Sequence, residues 1–153
     1  MMNITIRNAA SSDAPLIAEF NEAMAQETET LTLDRERLQK GVEALLADSS
    51  KGFYLVAESN NTVVGQLMIT YEWSDWRNAD FWWIQSVYVH PSYRKHGVFR
   101  SLYRYIESLA RTRGNVCGLR LYVEKENEHA RKTYEALGMT PSHYQLMEAG
   151  FEI

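Results

Sequence analysis

The chain has 153 residues, 45% of them hydrophobic and 12% aromatic, enough for one domain, residues 1–153, with a full core. Its apolar runs are far too short to span a membrane, and the start MMNITIRNAA lacks the apolar stretch of a secretory leader, so a cytoplasmic protein is expected. The net charge of −4 divides unevenly: residues 1–93 hold 6 basic and 13 acidic side chains, residues 94–153 hold 10 and 7, and the basic ones are interleaved with acids rather than forming a nucleic-acid stripe.

Ile4–Asn8 alternates and predicts an edge strand. Ser11, Ser12 and Asp13 then offer cap side chains, Pro15 suits a first turn, and Leu16, Ile17, Phe20, Ala23 and Met24 recur at helical spacing to about Gln26. Asp34 caps a second predicted helix, whose stripe is Leu38, Val42, Leu45 and Leu46. Three strands follow: Phe53–Glu58, a turn at Asn60-Asn61, Val63–Glu72, a polar and aromatic connection Trp73–Asp80, and Phe81–Val89. The last reads FWWIQSVYV, apolar enough for a central strand covered on both faces. Pro91 cannot donate to a ladder and ends it.

A third helix begins near Val98, with Phe99, Leu102, Tyr103, Ile106, Leu109 and Ala110 as its stripe and Gly114 as its stop. Val116–Val123 predicts a strand, and its Cys117, the single cysteine, is expected to be a buried structural thiol. Asn127 caps a fourth helix bearing Ala130, Tyr134 and Leu137, which Gly138 terminates. His143–Glu148 predicts a final strand. The order is that of a mixed α/β fold, hairpins beside a crossover unit.

The loop between the third strand of this group and the third helix carries the chemistry. Arg94, Lys95 and Arg100 gather cations around Gly97 at a helix start, where the dipole already favours negative charge. Free N–H groups there point outward, and Gly97 lets the backbone approach a ligand. The loop has neither the Walker pattern nor G-x-G-x-x-G. No His, Cys and Asp cluster has metal-ligand spacing, so no metal is expected.

Arg94-x-x-Gly97, after VYVHP and before an amphipathic helix, resembles the pyrophosphate motif Arg/Gln-x-x-Gly-x-Gly/Ala of the GNAT-type N-acetyltransferase superfamily. NEHARKTYEALGM, with Asn127, Ala130, Tyr134 and Gly138-Met139, resembles that family's later motif, and the likeness covers nearly the whole chain. Phe99 stands in place of the family's second small residue and also extends the helix stripe. The resemblance implies a GNAT-like fold: a central, mostly antiparallel sheet with a splayed parallel pair, flanked by about four helices. It further implies acetyl-CoA as cosubstrate. The pantetheine arm would pair with backbone at Val87, Tyr88 and Val89. The pyrophosphate would sit on Lys95, His96, Gly97, Val98, Phe99 and Arg100, with Arg94 beside it. Asn127 would touch the cofactor arm, and Tyr134 would be the acid toward sulfur.

The implied reaction is acetyl transfer to a primary amine of a small molecule or peptide by direct attack. The competing class is a non-catalytic acyl-CoA sensor or interaction module. No carboxylate lies within Phe81–Val89, so candidate groups for the amine and its proton are Glu72, Glu27, Glu29, and a water relay through Gln85 or Ser86. Tyr71–Trp83 places four tryptophans among Glu72, Asp75 and Asp80, which suits hairpin packing, a homodimer contact, or a cationic ligand.

Overall fold

The computed structural model describes residues 2–153. Five strands lie side by side in chain order: β1 (Thr5–Asn8), β2 (Phe53–Ser59), β3 (Thr62–Ser74), β4 (Ala79–Val89) and β5 (Val116–Arg120). The first four are mutually antiparallel, and β5 runs parallel to β4. The helices are α1 (Ala14–Glu29), α2 (Arg35–Ala47), α3 (Val98–Arg113) and α4 (Glu128–Ala136). The mixed sheet with one parallel pair and four helices is the expected fold class. The chain divides into two compact units, Met1–Tyr122 and Val123–Ile153.

In the first unit, local chemistry sets the turns. Asp34 accepts a hydrogen bond from the Arg37 N–H at 3.2 Å and starts α2. Asp13 accepts from the Ala10 N–H at 2.6 Å and from both terminal nitrogens of Arg7, whose Nε donates to Glu58 at 2.7 Å. The Arg7 guanidinium holds the Asp13 carboxyl below the usual carboxylate range. Asn60 and Asn61 both take left-handed backbone, the two-residue hairpin that fits the twist of β2 and β3. Gly52 is irreplaceable for a different reason: a Cβ there would lie 2.0 Å from the Ile69 carbonyl oxygen.

Within this unit α1 and α2 cover one face of the sheet and α3 the other. Ala14, Ile17 and Ala18 of α1 and Val42 and Leu45 of α2 pack with Tyr54 and Met68, a directly opposed pair on β2 and β3. On the other face Val98 of α3 sits over Gly65, and Val98, Leu102, Tyr103, Ile106 and Ala110 are all buried. Leu102, Tyr103, Ile106 and Ala110 are the buried part of the stripe read from the sequence; its Phe99 and Leu109 are half-buried, and Val98 joins from outside it.

Three expectations are corrected. The aromatic connection is a hairpin tip, because the β3–β4 ladder continues through Trp73↔Asp80 and Ser74↔Ala79, and Asn78 supplies a positive φ for the four-residue turn. Cys117 is exposed rather than buried, since β5 is the sheet's edge and nothing covers that position. In the second unit His143–Glu148 forms no strand. Tyr144, Leu146 and Met147 are exposed, and an alternating pattern without a ladder partner has no strand to join. That unit is built on α4. The Asn127 side chain accepts from the Ala130 N–H at 3.1 Å, and Gly138 ends the helix with φ 102°.

Candidate active site

The site begins with a defect in β4. Met68 lies opposite Gln85 but Gln66 lies opposite Tyr88, so Ser86 and Val87 together face Leu67. This is a bulge, and Ser86 takes φ +51° to make it. Just before it the parallel pair ends. β5 pairs with β4 over Asp80–Trp83, while β4 continues from Ile84 to Val89 without β5 beside it. Val87, Tyr88 and Val89 therefore lie on a length of β4 that β5 does not pair, the kind of edge to which an extended chain can add as a strand does.

Beyond Val89 the chain turns sharply. The His90 N–H donates to the Val64 carbonyl at 2.8 Å, and the His90 Nδ1 accepts from the Ser92 N–H at 3.1 Å. A single 3-10 turn covers Pro91–Tyr93. Lys95 (φ 66°) and Gly97 (φ 79°) then adopt left-handed backbone, a bend in which N–H groups converge. Gly97 gives no side-chain cap to α3, and a Cβ built on it meets nothing within 4 Å. The positive end of the sixteen-residue α3 thus begins at a bare glycine, with Lys95, His96 and Arg100 exposed around it. Val98 turns inward to the core; Phe99 is half-buried and packs 6.2 Å, centroid to centroid, from Tyr103.

Arg94 is anchored rather than loose. Its Nε donates to the Val89 carbonyl at 2.8 Å, its Nη2 to Glu27 at 2.8 Å, and its guanidinium lies 5.4 Å from the Tyr88 ring centroid. Tyr88 also donates to Glu27, at 3.0 Å. Arg94 first, and Tyr88 with it, hold the Glu27 carboxyl below its ordinary range, while burial, with help from Glu27, pushes the Tyr88 phenol up. The end of α1, the end of β4 and the cationic loop are therefore tied at one point. Glu29 is exposed in the last position of α1.

On the α1/α2 face, beyond those helices, the sheet carries Thr70, Glu72, Trp83 and Gln85. Gln85 donates to the Thr70 hydroxyl at 2.6 Å. Glu72 accepts from the Trp83 indole at 2.8 Å and from Arg120 at 3.0 and 3.1 Å, and Tyr122 stacks 4.5 Å from Trp83. Glu72 is thus already matched by a cation. The tryptophans divide: Trp82 is buried beside Phe53 and Tyr71, Trp83 belongs to this face, and Trp73 and Trp76 are 60% and 86% exposed. Arg120, Tyr122 and the bulge at Ser86 were not anticipated. Arg120 ends β5 and Tyr122 lies two residues beyond it, a same-face spacing that was the sequence signal for this face.

In the second unit Tyr134 is half-buried on α4, and burial raises its phenol pKa above the ordinary value. The Asn127 side-chain oxygen is occupied by its own helix cap. Among the described residues no group of three His, Cys, Asp or Glu side chains is placed to hold a metal, and no helix is long and apolar enough to cross a membrane.

The model of the acetyltransferase (GNAT) family matches residues 16–139. A "possible acetyltransferase" from Clostridium difficile 630 is 48% identical across 100% of both chains, with a TM-score of 0.92. Ribosomal-protein-alanine N-acetyltransferase from Brucella melitensis biovar Abortus 2308 superposes with a TM-score of 0.78 at 20% identity, over 98% of this chain and 100% of that one. A "predicted acetyltransferase with acetyl-CoA" from Clostridium acetobutylicum gives 0.77 at 17% identity, over 96% of each chain. Likeness at these two lower identities is a likeness of fold. Comparison with curated proteins finds no match.

Proposed function

The chain belongs to the acetyltransferase (GNAT) family, and from that premise we propose that it moves the acetyl group of acetyl-CoA to a primary amine by direct attack, without an acyl-enzyme. The observation that carries this reading is the uncapped start of α3 at Gly97, opening beside the stretch of β4 that β5 has left. A diphosphate needs converging N–H groups and an extended amide-bearing arm needs a strand edge, and the two features adjoin in one unit of the chain. The residues fit the group: Lys95–Arg100 would hold the diphosphate, and Val87–Val89 the arm. Bound acetyl-CoA supplies an acyl group already activated by a thiol leaving group.

The chain's own work is alignment and proton handling. An amine of pKa about 10.4 is only about 0.04% neutral at pH 7, a deficit of roughly 4–5 kcal/mol. Arg94 holds the Glu27 carboxyl below its ordinary range, which makes it a weak base, and Arg120 already engages both oxygens of Glu72. We therefore assign proton release to a water relay through Gln85 or Ser86 that hands the proton on to solvent, and assign the two glutamates, with Glu29, to attraction of a cationic acceptor. A departing thiolate of pKa near 8.5 is a fair leaving group, so alignment carries much of the rate, and Tyr134, by its motif, adds a proton to sulfur as the bond to carbon breaks. Cys117 is a lone exposed thiol outside these elements and takes no acyl group in this scheme. The reading makes the protein a cytoplasmic enzyme of a small-molecule or peptide amine, and the exposed Trp73 and Trp76 support contact between two copies.

The test is a panel of polyamines, amino acids, aminoglycosides and short peptides, each incubated with acetyl-CoA and assayed for free thiol. Amine-dependent thiol release is expected. Tight acetyl-CoA binding with no release on any amine would instead establish the sensor alternative.

A further inference from the structure

A glutamine sits where the β4 bulge needs a clamp. Gln66 of β3 is completely buried, on the face that α1 covers. Its Nε2 donates to the Ser86 carbonyl at 3.2 Å and lies 3.5 Å from Oδ1 of the buried Asn21 on α1. Among the described residues its Oε1 has no protein partner. A buried amide with half its polarity unmatched is a poor way to fill a core, because leucine or methionine would occupy similar space without desolvating polar atoms. What the amide does accomplish is specific. Ser86 is a non-glycine held at φ +51°, and the bulge removes its carbonyl from the β3 ladder. Gln66 receives that carbonyl from below.

We propose that Gln66 is a positioning residue for acetyl transfer: by holding Ser86 in its left-handed turn, it aims the main-chain donors of Val87–Val89 at the thioester end of the arm. The inference rests on the acetyltransferase reading above and deepens it. α1 joins the same device through Asn21. The bulge is thereby tied to the helix whose last turn carries Glu27. Register at the reacting end of β4 then depends on a side chain that touches no substrate.

Gln66→Met keeps the volume and removes the donor. It should lower kcat by about 10–100-fold, the scale of a slight misplacement of reacting groups, with affinity for CoA changed by less than about threefold. Gln66→Glu supplies a second readout. Its buried carboxyl donates to Ser86 only when protonated, so the ratio of its activity to that of the wild type should rise as pH falls, the amine's own pH dependence being common to both. If Gln66→Met does not fold, the pH profile of Gln66→Glu decides the matter. In amide NMR, the Val87 and Tyr88 signals of the wild type should respond differently to acetyl-CoA and CoA, and that difference should vanish in Gln66→Met. An unchanged kcat, or equal losses in kcat and CoA affinity, overturns the clamp. An inactive wild type overturns the acetyltransferase reading itself, which separates the two failures.

Discussion

Tyr134→Phe should slow acetyl transfer by about 10²–10⁴-fold, the usual range for a lost general acid, while CoA binds with unaltered affinity. The phenol is half-buried on α4, and burial penalises its charged form. A pKa above the ordinary value keeps the proton in place through neutral and mildly alkaline solution, and the acid form is lost only as pH climbs past that raised value. The wild-type rate should therefore rise with pH while the amine deprotonates and fall only beyond about pH 10, the ordinary tyrosine value. In Tyr134→Phe the falling limb should disappear with the acid. Steady-state kinetics over pH, beside calorimetric titration with CoA, measure both. An unchanged rate removes Tyr134 from the chemistry, and a matching loss of CoA affinity makes it a structural residue.

Gly97→Val should weaken acetyl-CoA by about 100-fold, close to 2.7 kcal/mol, and leave free pantetheine within about threefold. The contrast follows from the geometry. Gly97 holds φ +79°, where a β-branched residue costs at least about 1–2 kcal/mol. The space beside it is clear of protein atoms, so the new side chain disturbs little of the fold and stands instead where a diphosphate would settle. Pantetheine lacks the diphosphate and should not register the change. Arg94→Ala should show the same selectivity with a smaller loss, because this guanidinium is engaged by Glu27 and the Val89 carbonyl. Calorimetry with both ligands gives the comparison, and equal losses for acetyl-CoA and pantetheine would refute the phosphate assignment.

What could be read from the sequence was what neighbours along the chain decide. Asp34 and Asn127 start helices through side-chain bonds spanning three residues, and Asn60-Asn61 turns a hairpin by its own backbone preference. The α3 stripe and Gly97 are equally local, which is why the loop could be proposed as an anion site from its residues alone. What escaped was set by register or by distant partners. The bulge at Ser86 is a two-against-one count between strands, and no local pattern in FWWIQSVYV announces it. The Arg94–Glu27 pair spans 67 positions and the Arg120–Glu72 pair 48. Both turn candidate bases into partners of arginine. Gln66 hid inside an apolar run, where its polarity looked incidental. Cys117 and His143–Glu148 were misjudged because an apolar or alternating stretch reports a capacity to pair and be covered, and only the finished sheet decides whether a neighbour is there.

The most direct test is a crystal structure with acetyl-CoA bound. The expected density shows the diphosphate hydrogen-bonded, at about 2.8–3.0 Å, to main-chain N–H groups between Lys95 and Arg100, with the pantetheine arm laid along Val87–Val89. A coenzyme bound elsewhere, with the bend at Gly97 left open, contradicts the account.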